Sequence, residues 1–300
     1  TSRKPDGRSA LPPILPGFPA GGAGLAGAAG AIQADRVMAD LGNPTPQHLR
    51  YAVEFRESLP DRVRDAARQP VPACALLYAL LLSDEANERE RQLQELAQRA
   101  GAHIHEAIAA LWPEIRGIAQ RTRLPLVNLA LPALRQLPAD EYAKFAETLN
   151  WLIESDDQIV LFEFVLLKII HRQVEPHFTK ANPPATQFYS IKPLAPDCEV
   201  ILYALAHTGQ TDVGESAHAF ETGAPYVRTG GVPLTFRSRE ECGLNEINNA
   251  LDRVALAAPQ IKKNLLAACV QVVGADGVIQ ENEAELLRGI AETLDCPMPP

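Results

Sequence analysis

The chain has 300 residues, 46% hydrophobic and 22% charged, enough for one large domain or two smaller ones with a sizeable core. Its 28 basic against 37 acidic side chains leave a net charge of −9, a surface that repels phosphate backbones and argues against nucleic acid as a partner. Aromatic residues make up only 6%, and much of the apolar content is alanine and leucine, which suits close-packed helices better than sheets.

The sequence opens at Thr1 with neither an initiator methionine nor a signal peptide, and so reads as a piece of a longer protein. Its five cysteines, Cys74, Cys198, Cys242, Cys269 and Cys296, are an odd number, far apart, with no C-x-x-C pair. They read as free thiols in a reducing compartment, in or facing the cytosol, and not as a disulfide framework or zinc ribbon.

Residues 1–44 form a Pro/Gly/Ala-rich linker. The charge-free stretch Ser9 to Ala34 is long enough to cross a bilayer, but Pro12, Pro13, Pro16 and Pro19 break its first half. Gly22-x-Gly24-x-x-Gly27 matches a dinucleotide-binding fingerprint, yet a proline-rich run precedes it where a strand is required.

From about Pro46 the pattern predicts helix after helix, with 45–137 a region of helical pairs. His48 to Leu59 stops before Pro60, Asp61 to Arg68 is short, and Pro72 leads into the apolar run Ala73 to Leu82. Ser83-Asp84 is placed to cap a polar helix, Glu85 to Arg99, which Gly101 ends. His103 to Trp112 follows. In Leu126 to Leu137, Pro132 is expected to kink or split the helix.

The remainder, 138–300, begins with Ala139-Asp140 capping Glu141 to Glu154. The segment Ile159 to Ile170 is apolar nearly all round, too short to span a bilayer, and so expected at the centre of a domain. Two irregular stretches follow: 175–196 with Pro176, Pro183, Pro184, Pro193 and Pro196, and 222–239 with Gly223, Gly230, Gly231 and Pro233. Together they leave room for a short hairpin.

The strongest feature is an internal echo. Trp151-Leu-Ile-Glu-Ser-Asp156-Asp157-Gln-Ile159-Val-Leu-Phe-Glu163 matches Gln271-Val-Val-Gly-Ala-Asp276-Gly277-Val-Ile279-Gln-Glu-Asn-Glu283, with an offset of 120 throughout. Each copy reads as a helix end, an acidic bend, an isoleucine that pins the bend, and a glutamate in the first turn of a second helix. Glycine at 277 tolerates the positive φ of such a bend, and Asp157 does so at modest cost. Glu163 and Glu283 are placed to accept free backbone N–H groups of that second helix.

The same frame fits the second half of an EF-hand loop. Positions one and three would then be Leu152 and Glu154 in the first copy, Val272 and Gly274 in the second, adding only one carboxylate in all. Two readings stand side by side: self-capped helical elbows, or a weak divalent-cation site drawn from Asp156, Asp157, Glu163, Asp276 and Glu283.

This twice-used Asp-Gly-x-Ile-x-x-x-Glu signature resembles the tellurite-resistance TerB-like domain. The resemblance covers about Leu137 to Pro300, with Asp157 standing where that family prefers glycine. It implies an all-α fold, here a helical array followed by a TerB-like bundle with an internal duplication. It also implies acidic loops that bind a divalent metal or a partner.

Leu41-Gly-Asn-Pro-Thr-Pro-Gln-His48, Leu124-Pro-Leu-Val-Asn-Leu-Ala-Leu-Pro-Ala-Leu-Arg135 and Leu294-Asp-Cys-Pro-Met-Pro-Pro300 resemble the C-terminal extension of bacterial HtpX-type membrane zinc metallopeptidases. That likeness implies a cytosolic accessory region at the inner membrane, behind an upstream peptidase domain that would hold the zinc. The partners it implies are that domain and a further protein or a second copy of the chain.

No catalytic motif is visible here. H-E-x-x-H would set two histidines one helical turn apart around a general base, but His105-Glu106-Ala-Ile-Ala109 lacks the second ligand. His103 and His105 point to different faces of a helix. His171, His177, His207 and His218 are tied to no carboxylate pattern, and neither a nucleophile elbow nor a phosphate loop occurs. The alternative to an accessory region is a self-standing, metal-responsive TerB-like protein.

Overall fold

The computed structural model describes residues 53–155, 161–179, 185–209, 212–227, 234–235, 243–277 and 280–296. The expected linker, the bend residues 156–160 and most of 228–242 lie outside them. The fold is all-α. Among the described residues no strand forms, and there is one isolated parallel bridge, between Phe188 and Ala257; most of the second stretch that left room for a hairpin lies outside the described residues.

Residues 53–58 are helical, and after them come α1 (Asp61–Ala66), α2 (Pro70–Leu81), α3 (Ala86–Ala100), α4 (Ala102–Ile115), α5 (Gln120–Leu134) and α6 (Ala139–Ile153). The next six are α7 (Leu161–Gln173), α8 (Ala195–Gly209), α9 (Val213–Val227), α10 (Leu244–Val254), α11 (Pro259–Val273) and α12 (Glu281–Thr293).

Two helices sit deepest. In α2 the apolar run buries every side chain from Ala73 to Leu81, and α1, α4, α5 and α6 pack around it. Its two prolines fall in the first turn, where no intrahelical N–H is needed. In α8, Cys198 and every side chain from Val200 to Ala206 are buried beneath α9, α10, α11 and α12. A helix apolar on all sides has nowhere to go but the middle. The expectation that the Ile159–Ile170 run is also central holds for α7, whose residues Leu161 to Leu166 are all buried.

One hydrophobic cluster runs through both groups of helices. Helix α5 joins them by packing against α2 on one side and against α7 and α12 on the other.

Several local expectations are corrected. Helix α5 passes through Pro125 and Pro132 without splitting. A proline in a helix removes one backbone bond, and here Leu124, Leu126, Val127, Ala130 and Leu134 bury enough apolar surface to hold the helix together. Thr222 to Val227, expected in a loop, is the last part of α9. Gly223 is there for close approach: a Cβ would lie 2.5 Å from Val272 Cγ2 and 2.6 Å from the Ala268 carbonyl oxygen on α11. The N-cap of α3 is Glu85, whose N–H donates to Ser83 Oγ at 3.1 Å, and that of α6 is Pro138.

The long stretch before α8 is tied down. The Gln187 N–H donates to the Leu256 carbonyl at 2.8 Å, and the Ala258 N–H donates to the Phe188 carbonyl at 2.8 Å. Arg253 then stacks over Phe188 at 5.2 Å and donates to Asp197 at 3.0 Å.

Candidate functional site

The two echoed segments become equivalent joints. Helices α6 and α11 begin at Ala139 and Pro259 and end at Ile153 and Val273; α7 and α12 begin at Leu161 and Glu281 and end at Gln173 and Thr293. The starts of α6 and α11 and the ends of all four helices are offset by 120, and the described part of α7 opens at 161 against 281 in α12. The C-caps agree as well, Glu154 at φ −86, ψ −2 and Gly274 at φ −88, ψ 4. The register extends one helix further back, because α5 ends at Leu134 and α10 at Val254. Three helices, and not just one bend, are therefore repeated.

At the second joint α11 closes with the Gly274 N–H on the Val270 carbonyl (3.0 Å), and the Gly277 N–H donates to the Gly274 carbonyl (3.1 Å). Gly277 takes φ +78, the left-handed geometry expected of it, directly after Asp276. The Glu283 carboxylate then accepts the Gln280 N–H at 2.8 Å, one half of a capping box around the start of α12. Glu283 is 3% exposed. Burial pushes its carboxyl up to about 7, opposed by the Gln280 N–H and assisted by the charge of Asp276.

Glu163 occupies the same third helical position in α7 and is also buried. Asp156 and Asp157, with Ile159 and Ile279, lie outside the described residues. The start of the first joint is held by α3: Arg91 Nη2 donates to the Ser155 carbonyl at 3.1 Å and Gln92 Nε2 to Ser155 Oγ at 3.3 Å.

The structure brings the two second helices of the joints together. Val165 meets Gly289, Gln173 Nε2 donates to Glu292 Oε2 (3.0 Å), and Arg172 Nε donates to Asp295 Oδ1 (2.8 Å). Advancing along α7 advances along α12, so the pair is parallel and both glutamate-bearing first turns lie at the same end. The start of α5 touches both. Gln120 Nε2 donates to Asn282 Oδ1 (3.2 Å) and Glu285 Oε2 (3.0 Å), while the Arg123 guanidinium lies 5.7 Å from the Phe162 ring centroid.

Positions 152 and 272, where an EF-hand loop would take its first ligand, lie in the last turns of α6 and α11 as buried Leu152 and Val272. Neither of these apolar side chains can ligate a cation, and both are turned into the core. Among the described residues no group of three His, Cys, Asp or Glu side chains is placed to hold a metal ion. Nor is any described helix long and apolar enough to cross a membrane.

His103 and His105 sit on α4, and the expectation that no carboxylate is tied to His171 is corrected, since it pairs with Glu175 one helical turn on. An open cleft of about 510 Å³ between α1 and α4 is lined by Asp61, Arg62, Asp65 and Leu111, with no nucleophile or histidine among its residues.

Sequence reasoning missed the ion pair of buried Lys168 with the exposed Asp252, which ties α7 to α10 at 2.7 Å. A lysine within an apolar run, followed one turn later by Arg172, was its only signal. Comparison with protein-family models, curated proteins and solved structures returned no match.

Proposed function

We propose that the chain is a non-catalytic accessory region of the TerB-like kind. In this reading it lies on the cytosolic side of the inner membrane, behind an HtpX-type zinc metallopeptidase domain, and serves regulation, substrate recruitment or assembly. The observation that carries the reading is the buried Glu283 carboxylate, turned inward to accept the Gln280 N–H. The acidic signature then acts as a joint between helices, and a paired, parallel duplication of that joint builds a scaffold.

The zinc and its H-E-x-x-H ligands belong, on this proposal, to the upstream peptidase domain. The partners are that domain and a further protein or second copy, and the joints hold a divalent cation weakly at most. The test expresses the whole reading frame that contains this chain beside the chain alone. Zinc-dependent casein hydrolysis by the whole protein in the membrane fraction, with none by the chain alone, is the expected result. Hydrolysis by the chain alone with added zinc overturns the proposal.

A further inference from the structure

The most weakly seated long helix of the first group is α3. Of its 15 residues only Gln92 and Leu96 are buried, whereas α2 buries nine of 12. Leu93 and Ala100 add partly buried apolar contacts, and its other attachments are polar. Gln92 Oε1 accepts the Ser83 N–H at 2.9 Å, and Gln92 Nε2 and Arg91 Nη2 hold Ser155 at the start of the first joint. Arg89 lies 5.1 Å from the ring centroid of Trp112 on α4, and Arg99 lies 4.6 Å from that of Trp151 on α6. These are the only two tryptophans of the chain, and each is roofed by a cation of α3 in place of an apolar side chain.

The front end is the turn Ser83 to Glu85, held to α3 by Arg89 Nη1 on the Ser83 and Asp84 carbonyls (3.0 and 2.8 Å) as well as by Gln92, so that polar bonds must break there when the helix swings. The back end is Gly101, which joins α4 at φ +93.

We propose that α3 is a hinged strap that opens as a unit about Ser83–Glu85 and Gly101, uncovering the Trp112 and Trp151 faces of α4 and α6 and releasing Ser155. A segment with few buried apolar contacts separates from its domain at lower free energy than the core does, and polar bonds to Ser155 couple that opening to the first acidic joint. The strap is its own occupant of the tryptophan surface. This inference stands independently of the accessory-region reading, because it concerns only how the fold opens.

Hydrogen exchange by mass spectrometry on the full chain, with acrylamide quenching of tryptophan fluorescence, tests it. Peptides from 86–100 are expected to exchange at least about tenfold faster than those from α2. Gln92→Ala, which removes two part-buried bonds, is expected to speed α3 exchange about tenfold further and raise quenching, with α8 and α11 unchanged. Should that variant not fold, Arg99→Gln on the solvent side raises quenching of Trp151 alone. Exchange of α3 in step with α2 in the unaltered chain, or an equal acceleration of α2, α8 and α11 in Gln92→Ala, overturns the strap.

Discussion

Val165 on α7 packs directly onto Gly289 on α12, so closely that a Cβ at 289 would lie 2.6 Å from Val165 Cγ2. This contact sits midway along the parallel pair that unites the two copies of the repeat. Gly289→Ala is expected to destabilise the fold by about 1–3 kcal/mol, the usual cost of overpacking, read as a lowered urea midpoint. The double change with Val165→Ala should recover part of the loss. Gly223→Ala faces the Ala268 carbonyl as well as a side chain, so truncating Val272 should rescue it less.

Glu283 gives the fold a pH dependence whose sign is fixed. Its carboxyl lies at about 7 against an ordinary value of 4.5, because burial disfavours the charged form. A carboxyl raised by folding contributes most stability below the ordinary value, loses it as pH rises from about 4.5 through about 7, and changes nothing beyond. Chemical denaturation at pH 5 and pH 8 should show Glu283→Gln to be less pH-sensitive than the unaltered chain, by on the order of 2 kcal/mol. Glu292 is raised for the same reason and adds a slope of the same sign, so the comparison must be with the variant.

Lys168 is buried with Asp252 as its ion-pair partner at 2.7 Å, and burial holds its ammonium below the ordinary lysine value. Asp252→Ala leaves that cation without its counter-ion and should cost about 1–3 kcal/mol in equilibrium unfolding. Adding Lys168→Met, which keeps the stem and removes the charge, should restore most of it.

Cys74, Cys198 and Cys269 are buried, and burial pushes all three thiols up, Cys74 and Cys198 to about 12. A thiol-specific reagent at pH 8 should leave these three unmodified in the folded chain and label them promptly in denaturant. Cys296, half-buried, should react before them.

How much of this was legible depended on which force set each element. The all-round apolar run of α7 announced its burial because hydrophobic pattern alone decides it. Gly101 and Gly277 announced their turns because positive φ favours glycine. Gly223 and the prolines of α5 misled for one shared reason. Glycine and proline are read locally as breakers, whereas here packing against α11, or the burial of a whole helix face, overrides local preference. The offset of 120 was visible at the joints. Its extension to α5 and α10 was not, since those helices share their ends and little side-chain pattern. The Val165–Gly289 contact could not be read at all, because a glycine inside a helix says nothing about which neighbour it admits.

The central claim is that the acidic joints are mechanical, with Glu283 acting on its own backbone. Calorimetric titration of the full chain with calcium, magnesium and zinc, repeated on Asp276→Asn with Glu283→Gln, tests this most directly. The account predicts no tight stoichiometric heat from any of the three ions, and a lowered melting temperature in the double variant. Tight binding of one ion that vanishes in that variant would contradict it.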